Sequence, residues 1–341
     1  MRDVLVIRFG ALGDLCLLAG ALARAAAAPG RAERRVTLAT KAAFAPLLEA
    51  ADGVDRVVPL RGGGIRAVAS LAAQLRQSHW DTVVDAHNIL RGHVLLTLVG
   101  RRPDVRLAKD TAARLAFLGF GRRHRSLTRT MRDRFAALVP AVTGGARAPE
   151  TAQPALASLA DPQAGAAPVL GFAPGARWAS KRWPAAHFAS LLEIHAREHG
   201  GPVRVFLGPQ EEAWFDRSPL AAAAGALDAE VVRARPLIEV AARLAACAVL
   251  VTNDSGLLHL AEAVGVPVVA LFGPTVREFG YAPHRGDSCL LESAWDCRPC
   301  SRNGRRPCHR GGLACLTSIA PETVWAATAP LLAAAAGRRS R

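Results

Sequence analysis

Ten short apolar runs, separated by stretches of helical periodicity, limit the folds open to this chain more than any other feature. Residues 4–7, 36–39, 57–60, 82–86 and 105–107 supply five of them in the first half. Residues 169–173, 203–207, 231–232, 248–252 and 268–272 supply five more in the second. Runs this short and apolar read as buried strands, and helices between them are the signature of parallel sheets covered by helices. Two such sets in 341 residues predict an α/β protein of two doubly wound domains. The segment 141–168 is rich in Ala, Pro and Gly, and its later part reads as the linker between domains 1–160 and 161–341. A last helix is expected over 322–336, followed by a charged, frayed tail at 337–341.

Composition narrows the class. A hydrophobic content of 51% with 21% charged residues excludes a disordered chain. No apolar run reaches the ~18 residues that span a bilayer. Met1-Arg2-Asp3-Val4 enters a strand without a secretory leader, so a cytoplasmic location is expected. The net charge of +15 favours an acidic partner: nucleic acid, an anionic membrane or a phosphorylated substrate. Residues 101–134 hold 11 Arg and Lys against 3 Asp, which reads either as a solvated face or as a surface for an anion. The segment has little aromatic interleaving and no nucleic-acid motif, which argues against a nucleic-acid partner.

Three turns follow strands and open helices. In 8-RFGALGDL-15, Gly10 and Gly13 let the backbone approach a ligand at a helix N-terminus, where anions are favoured. Neither a P-loop nor a dinucleotide fingerprint is present, and the second strand ends Ala39-Thr40-Lys41 with no acid for a ribose, so a dehydrogenase is disfavoured. Asp14 reads either as an early-helix acid favoured by the macrodipole or as a general base. In 174-PGARWASKRWP-184, Lys181 can reach a phosphate as a mobile charge, or it is a surface lysine beside Trp178 and Trp183. In 252-TNDSGLLHLAEAVGVPVVALFGPT-275, Asp254 or Ser255 can simply cap a helix. Ser255 and His259, four apart, share a face, and with the amides near Gly256 they form a pocket suited to a diphosphate.

Four cysteines stand in 297-CRPCSRNGRRPCHRGGLAC-315. Cys297, Cys300, Cys308 and Cys315 could close one tetrahedral zinc site, with His309 as a substitute ligand; reduced, packed thiols are the other reading.

Asn253-Asp254-Ser255-Gly256…His259 leading to Phe272-Gly273-Pro274-Thr275 closely resembles the signature of glycosyltransferase family 9. The Gly13-Asp14 turn and the Pro174-Gly175…Lys181-Arg182-Trp183-Pro184 segment resemble it too, so the likeness covers nearly the whole chain. The resemblance implies a GT-B architecture, two Rossmann-like domains facing across a cleft, with a last helix that often crosses back. The first domain would bind the acceptor and the second the nucleotide-sugar. It implies an inverting heptosyltransferase using ADP-heptose and an anionic lipopolysaccharide inner-core acceptor, with no catalytic metal or other cofactor. Such an enzyme would be cytoplasmic and peripheral at the inner face of the inner membrane.

By residue match Asp14 takes the base position, Lys181 a phosphate contact and Asp254 a contact to the transferred sugar. Ser255, Gly256 and His259 would line the diphosphate, and Gln210, Glu211 or Glu212 would meet the ribose. Asp85 and Arg91 would lie on the acceptor side, although Asn88 and Gly92 depart from the family pattern there. The first helix lacks the usual Pro, and Ala176-Arg177 replaces a common pair before the lysine. Alternatives are a GT-B enzyme with another donor or acceptor, a basic nucleic-acid-binding protein, or a non-catalytic assembly partner.

Overall fold

The computed structural model describes residues 1–150, 153–160 and 167–339. All ten expected strands form: β1 (Arg2–Ile7), β2 (Arg34–Lys41), β3 (Arg56–Leu60), β4 (Thr82–Asp85), β5 (Val105–Arg106), β6 (Val169–Ala173), β7 (Val203–Phe206), β8 (Glu230–Val232), β9 (Cys247–Asn253) and β10 (Val268–Phe272). An eleventh, β11 (Cys289–Glu292), was not foreseen. It is half-buried along its length, so it lacks the uniform apolar character that marks the others.

The first compact unit comprises residues 1–109 and 131–159. Its five strands run in the order β3-β2-β1-β4-β5, with every pairing parallel. Helix Leu12–Ala26 buries Leu15, Leu18, Ala19 and Leu22, a helical stripe that matches the sequence periodicity. One core gathers Leu5, Ile7, Val58 and Val83 from one face of the sheet with Leu71 and Leu95 from the helices over it.

The second unit comprises residues 110–130 and 160–341. Its six strands run β11-β10-β9-β6-β7-β8, again all parallel. Every residue of β9 and β10 is buried, because helices cover both faces of the middle strands. The terminal helix runs Pro321–Arg339, three residues past its expected end, and packs on helix Ala185–Glu198. Of the expected tail, Ser340 and Arg341 lie outside the described residues, as do 151–152 and 161–166 of the expected linker.

Residues 110–130 lie within the first half of the sequence, yet they cluster with the second unit. Phe117 of helix Thr111–Phe120 meets Phe279 edge-on at 6.2 Å, and Leu127 and Val276 complete a small core. Arg114 donates to the Phe279 carbonyl at 2.9 Å, and Arg123 pairs with Glu278 at 2.9 Å. This anchorage leaves Phe120 78% exposed, beside the exposed Arg122 and Arg125.

Candidate functional site

In each sheet the strand order reverses once, between β1 and β4 and between β6 and β9. At such a switch point the loops leave in opposite directions and open a crevice at the carboxyl ends of the strands, where ligands of this fold class bind. Asp14 follows β1 and Asp85 ends β4 at the first point, and Lys181, Asp254, Ser255 and His259 follow β6 and β9 at the second, whereas 210–212 follow β7 and the four clustered cysteines follow β11.

In the first unit, β1 delivers Arg8, Phe9 and Gly10, and the neighbouring β4 delivers Asp85, Ala86 and His87. Asp14 is the third residue of helix Leu12–Ala26, within its first turn. Its Oδ2 lies 2.7 Å from a buried Arg8 guanidinium nitrogen, and Arg8 also donates to the Ala86 carbonyl. The Arg8 fork therefore fixes the direction of the Asp14 carboxylate and ties it to the β4 loop. Arg8 was missed in the sequence, although a charged residue ending an apolar run was the signal.

Asp85 is fully buried. Its Oδ1 accepts the backbone N–H groups of His87 and Asn88 at 3.1 and 2.7 Å, which shapes the loop after β4. Arg91 sits in the first turn of helix Leu90–Val99, half-buried.

In the second unit, Asn253 ends β9 with no exposure and stitches the crevice together. Its amide donates to the Pro174 carbonyl at 2.8 Å and accepts the Trp183 N–H at 2.9 Å. This fixes both ends of the 174–184 turn that carries Lys181. Lys181 Nζ lies 2.5 Å from Asp254 Oδ2, with side chains 13% and 12% exposed. The Thr275 hydroxyl donates to the same oxygen at 2.6 Å. Lys181 is thus a partly enclosed, paired cation and not the surface lysine of the alternative reading. Thr275 and Asn253 belong to the sequence signature, but no role for either was foreseen.

The capping explanation for Asp254 and Ser255 fails. Ser255 occupies the N-cap of helix Gly256–Ala263 in extended geometry, but its side chain makes no capping bond, and the Asp254 carboxylate goes to Lys181 and Thr275. The first amides of this helix are therefore not capped by a side chain, which suits an anion. His259, one turn on, is buried, with its ring 5.9 Å from Tyr281.

Among the three candidates after β7, the structure separates Glu211. Its carboxylate accepts the Gly208 N–H at 2.8 Å and lies so close over Gly175 that a Cβ there would sit 1.9 Å from it. Glu212 is instead engaged by the Ala234 N–H at 3.1 Å.

The expected zinc site is not supported. Cys297, Cys300, Cys308 and Cys315 line one small cavity, yet among the described residues no three His, Cys, Asp or Glu side chains stand in position to share an ion. All are free thiols, and burial pushes the Cys315 thiol up to about 11 and raises Cys300. Cys315 is buried and the other three are half-buried, which suits the packed thiols of the other reading, and His309 is exposed.

His87 adds a pH-dependent element. The Phe9 N–H donates to its Nδ1 at 3.2 Å, which requires the neutral ring. Burial first, then the charges of Arg8 and Lys109, lower its pKa to about 4 from an ordinary 6.5. The unfolded chain then binds a proton that the folded chain refuses, so this group removes stability as pH falls from 6.5 towards 4. His87→Gln is expected to lose less melting temperature between pH 7 and pH 5 than the parent. Equal losses would mean that His87 does not carry this dependence.

Comparison with known proteins agrees with this geometry. Residues 68–307 match the family model for Glycosyltransferase family 9 (heptosyltransferase). Lipopolysaccharide heptosyltransferase 1 of Pseudomonas aeruginosa is 31% identical over 322 residues, covering 87% of this chain and 85% of the relative. Lipooligosaccharide heptosyltransferase 2 of Haemophilus influenzae is 35% identical over 130 residues, 37% of each chain. Among solved structures, E. coli ADP-heptose lipopolysaccharide heptosyltransferase II superposes with a TM-score of 0.74 at 21% identity, covering 98% of this chain and 99% of that one. E. coli heptosyltransferase WaaC with ADP gives 0.73 at 22% identity, with 97% and 100% covered. The structural likenesses carry the fold, which is GT-B. With a family match over most of its length and a 31% identical relative along nearly all of it, the chain belongs to glycosyltransferase family 9.

Proposed function

We propose that this chain is an inverting, metal-independent heptosyltransferase that transfers heptose from ADP-heptose to an anionic lipopolysaccharide inner-core acceptor. The first unit would take the acceptor and the second the nucleotide-sugar. The observation that carries the reading is the Lys181–Asp254–Thr275 cluster beside a helix N-terminus whose amides lack a side-chain cap. A cation and converging amides suit a diphosphate, and a carboxylate held by a hydroxyl suits sugar hydroxyls.

In the proposed step Asp14 removes the acceptor hydroxyl proton as the oxygen bonds to the anomeric carbon. The bond from that carbon to the diphosphate oxygen breaks, and its electron pair leaves with ADP. A single displacement of this kind inverts the anomeric centre. Lys181, the amides at Gly256 and Leu257, and His259 would stabilise the charge on the leaving diphosphate, where each donor typically contributes a few kcal/mol. Glu211 is the candidate for the ribose, because it alone of its neighbours lies over Gly175.

Two measurements test donor and base. ADP is expected to raise the melting temperature more than UDP or GDP at equal concentration, and Lys181→Ala to abolish most of that rise. A preference for UDP would remove the ADP-heptose assignment and leave the fold untouched. Asp14→Asn should lower turnover by roughly 10²–10⁴ with ADP affinity nearly unchanged, because only proton acceptance is lost. Near-normal turnover would return Asp14 to the role of an early-helix acid.

Among the described residues, no helix is long and apolar enough to cross a membrane. Peripheral contact is the proposal, through exposed Phe120 with Arg122 and Arg125, each basic residue adding roughly 1 kcal/mol near an anionic surface. Arg123 is left aside because it already pairs with Glu278. Replacing Arg122 and Arg125 by Glu should weaken binding to phosphatidylglycerol vesicles while sparing ADP affinity. Unchanged vesicle binding would assign them to a solvated face.

A further inference from the structure

One loop of the second unit bonds both the 174–184 turn that carries Lys181 and the 273–275 turn whose Thr275 holds Asp254. It leaves β11 after Glu292 and carries residues 293–313 to the short helix Ala314–Thr317. Its polar atoms are spent on the two segments that form the pair. The Arg298 side chain is 6% exposed and reaches the carboxyl ends of both β10 and β11. Its Nε donates to the Gly273 carbonyl, its Nη2 to the Thr275 carbonyl at 2.9 Å and to Glu292 Oε2 at 2.8 Å, and its Nη1 to the Ser293 carbonyl. Two residues on, the N–H groups of Cys300 and Ser301 both donate to the Pro274 carbonyl, at 3.2 and 3.3 Å. Gly273, Pro274 and Thr275 are therefore held at every carbonyl by this one loop.

The same loop grips the lysine. The Ser180 hydroxyl donates to the Gly304 carbonyl, and the Gly304 N–H donates to Ser301 Oγ at 2.9 Å. Gly304 has φ +86°, and its Cα rests on the Lys181 stem: a Cβ there would lie 2.7 to 3.0 Å from Lys181 Cγ, Cε and Cδ. Both the conformation and the contact call for glycine.

We infer that Arg298 and Gly304 are positioning residues for the donor site. Arg298 sets Thr275, and through it the Asp254 carboxylate, while Gly304 sets the Lys181 ammonium. The inference rests on the donor reading of that pair. Two N–H donors of a planar fork hold the 273–275 turn while two more tie it to Glu292 and Ser293, an arrangement that a lysine, with one mobile charge, cannot reproduce.

The test measures ADP dissociation constants by calorimetry, steady-state kinetics and melting temperatures for Arg298→Lys, Gly304→Ala, Lys181→Ala and the double variant Gly304→Ala/Lys181→Ala. Arg298→Lys and Gly304→Ala are expected to fold, each melting below the parent because a positive-φ glycine or a set of buried bonds is lost. Each should weaken ADP binding and raise the donor KM by about ten- to a hundredfold, the scale of a misplacement near 1 Å. Acceptor KM should not move. In the Lys181→Ala background, Gly304→Ala should add less than about twofold, because its effect passes through that side chain. Folded variants with parental ADP affinity would overturn the inference, and so would an undiminished Gly304→Ala effect without Lys181. Should Arg298→Lys melt far below the parent, the Gly304→Ala pair decides alone. Undiminished ADP binding by Lys181→Ala would overturn the donor reading itself along with the inference; this outcome is distinct because the fault then lies in the pair and not in the loop.

Discussion

A parallel sheet whose strand order reverses near its middle must send its connections to opposite faces on the two sides of the reversal. Where they part, the carboxyl ends of two neighbouring strands are left uncovered. Both sheets here contain such a point, and Asp14, Arg8, Asn253, Lys181 and Asp254 end or follow the strands that form it. In the first sheet Ile7 and Asp85 are register partners, so the residues just beyond them, Arg8 and Ala86, are brought within bonding distance. In the second, Asn253 closes the gap between β6 and β9 by bonding to the Pro174 carbonyl. Without that amide the 174–184 turn would have no fixed relation to the helix that starts at Gly256.

The ion pairs at the two points do not need to stabilise the fold. A largely enclosed pair gives back in attraction roughly what it loses in hydration, so it is often no better for stability than packed apolar groups. What Lys181 and Asp254 gain is direction. The lysine is paired with a neighbour 2.5 Å away. On the proposed donor reading a diphosphate would draw it off, and the Thr275 hydroxyl, 2.6 Å from the same carboxylate oxygen, would still hold Asp254. Arg8 serves Asp14 differently, since its fork is also committed to the Ala86 carbonyl and cannot leave with a ligand.

Strands were legible because burial on both faces demands unbroken apolar runs, and all ten expected strands formed. β11 escaped because, half-buried, it carries no such run. Asp14, Lys181, Asp254, Ser255 and His259 were found through turn position and family likeness. Their partners were not, because Arg8, Asn253 and Thr275 act through contacts 6 to 79 residues away that no local pattern records. Asp85 was placed on the acceptor side by family likeness, and the structure adds what no sequence pattern records: full burial, with Oδ1 bonded to two backbone N–H groups of the loop after β4. The cysteine spacing suggested a metal, whereas loop geometry set the sulfurs around a cavity without a shared ligand point.

The segment 110–130 has a consequence for how the chain is made. Its apolar anchors Phe117 and Leu127 find their partners in Val276 and Phe279. Those partners leave the ribosome roughly 150 residues later, a delay on the order of ten seconds at ordinary rates of synthesis. Throughout that interval the nascent chain carries exposed aromatic and leucine side chains amid a dense row of arginines. The positive charge keeps these copies of the segment apart while they wait. A fragment ending near residue 160 would never complete this step and would retain the unpartnered patch.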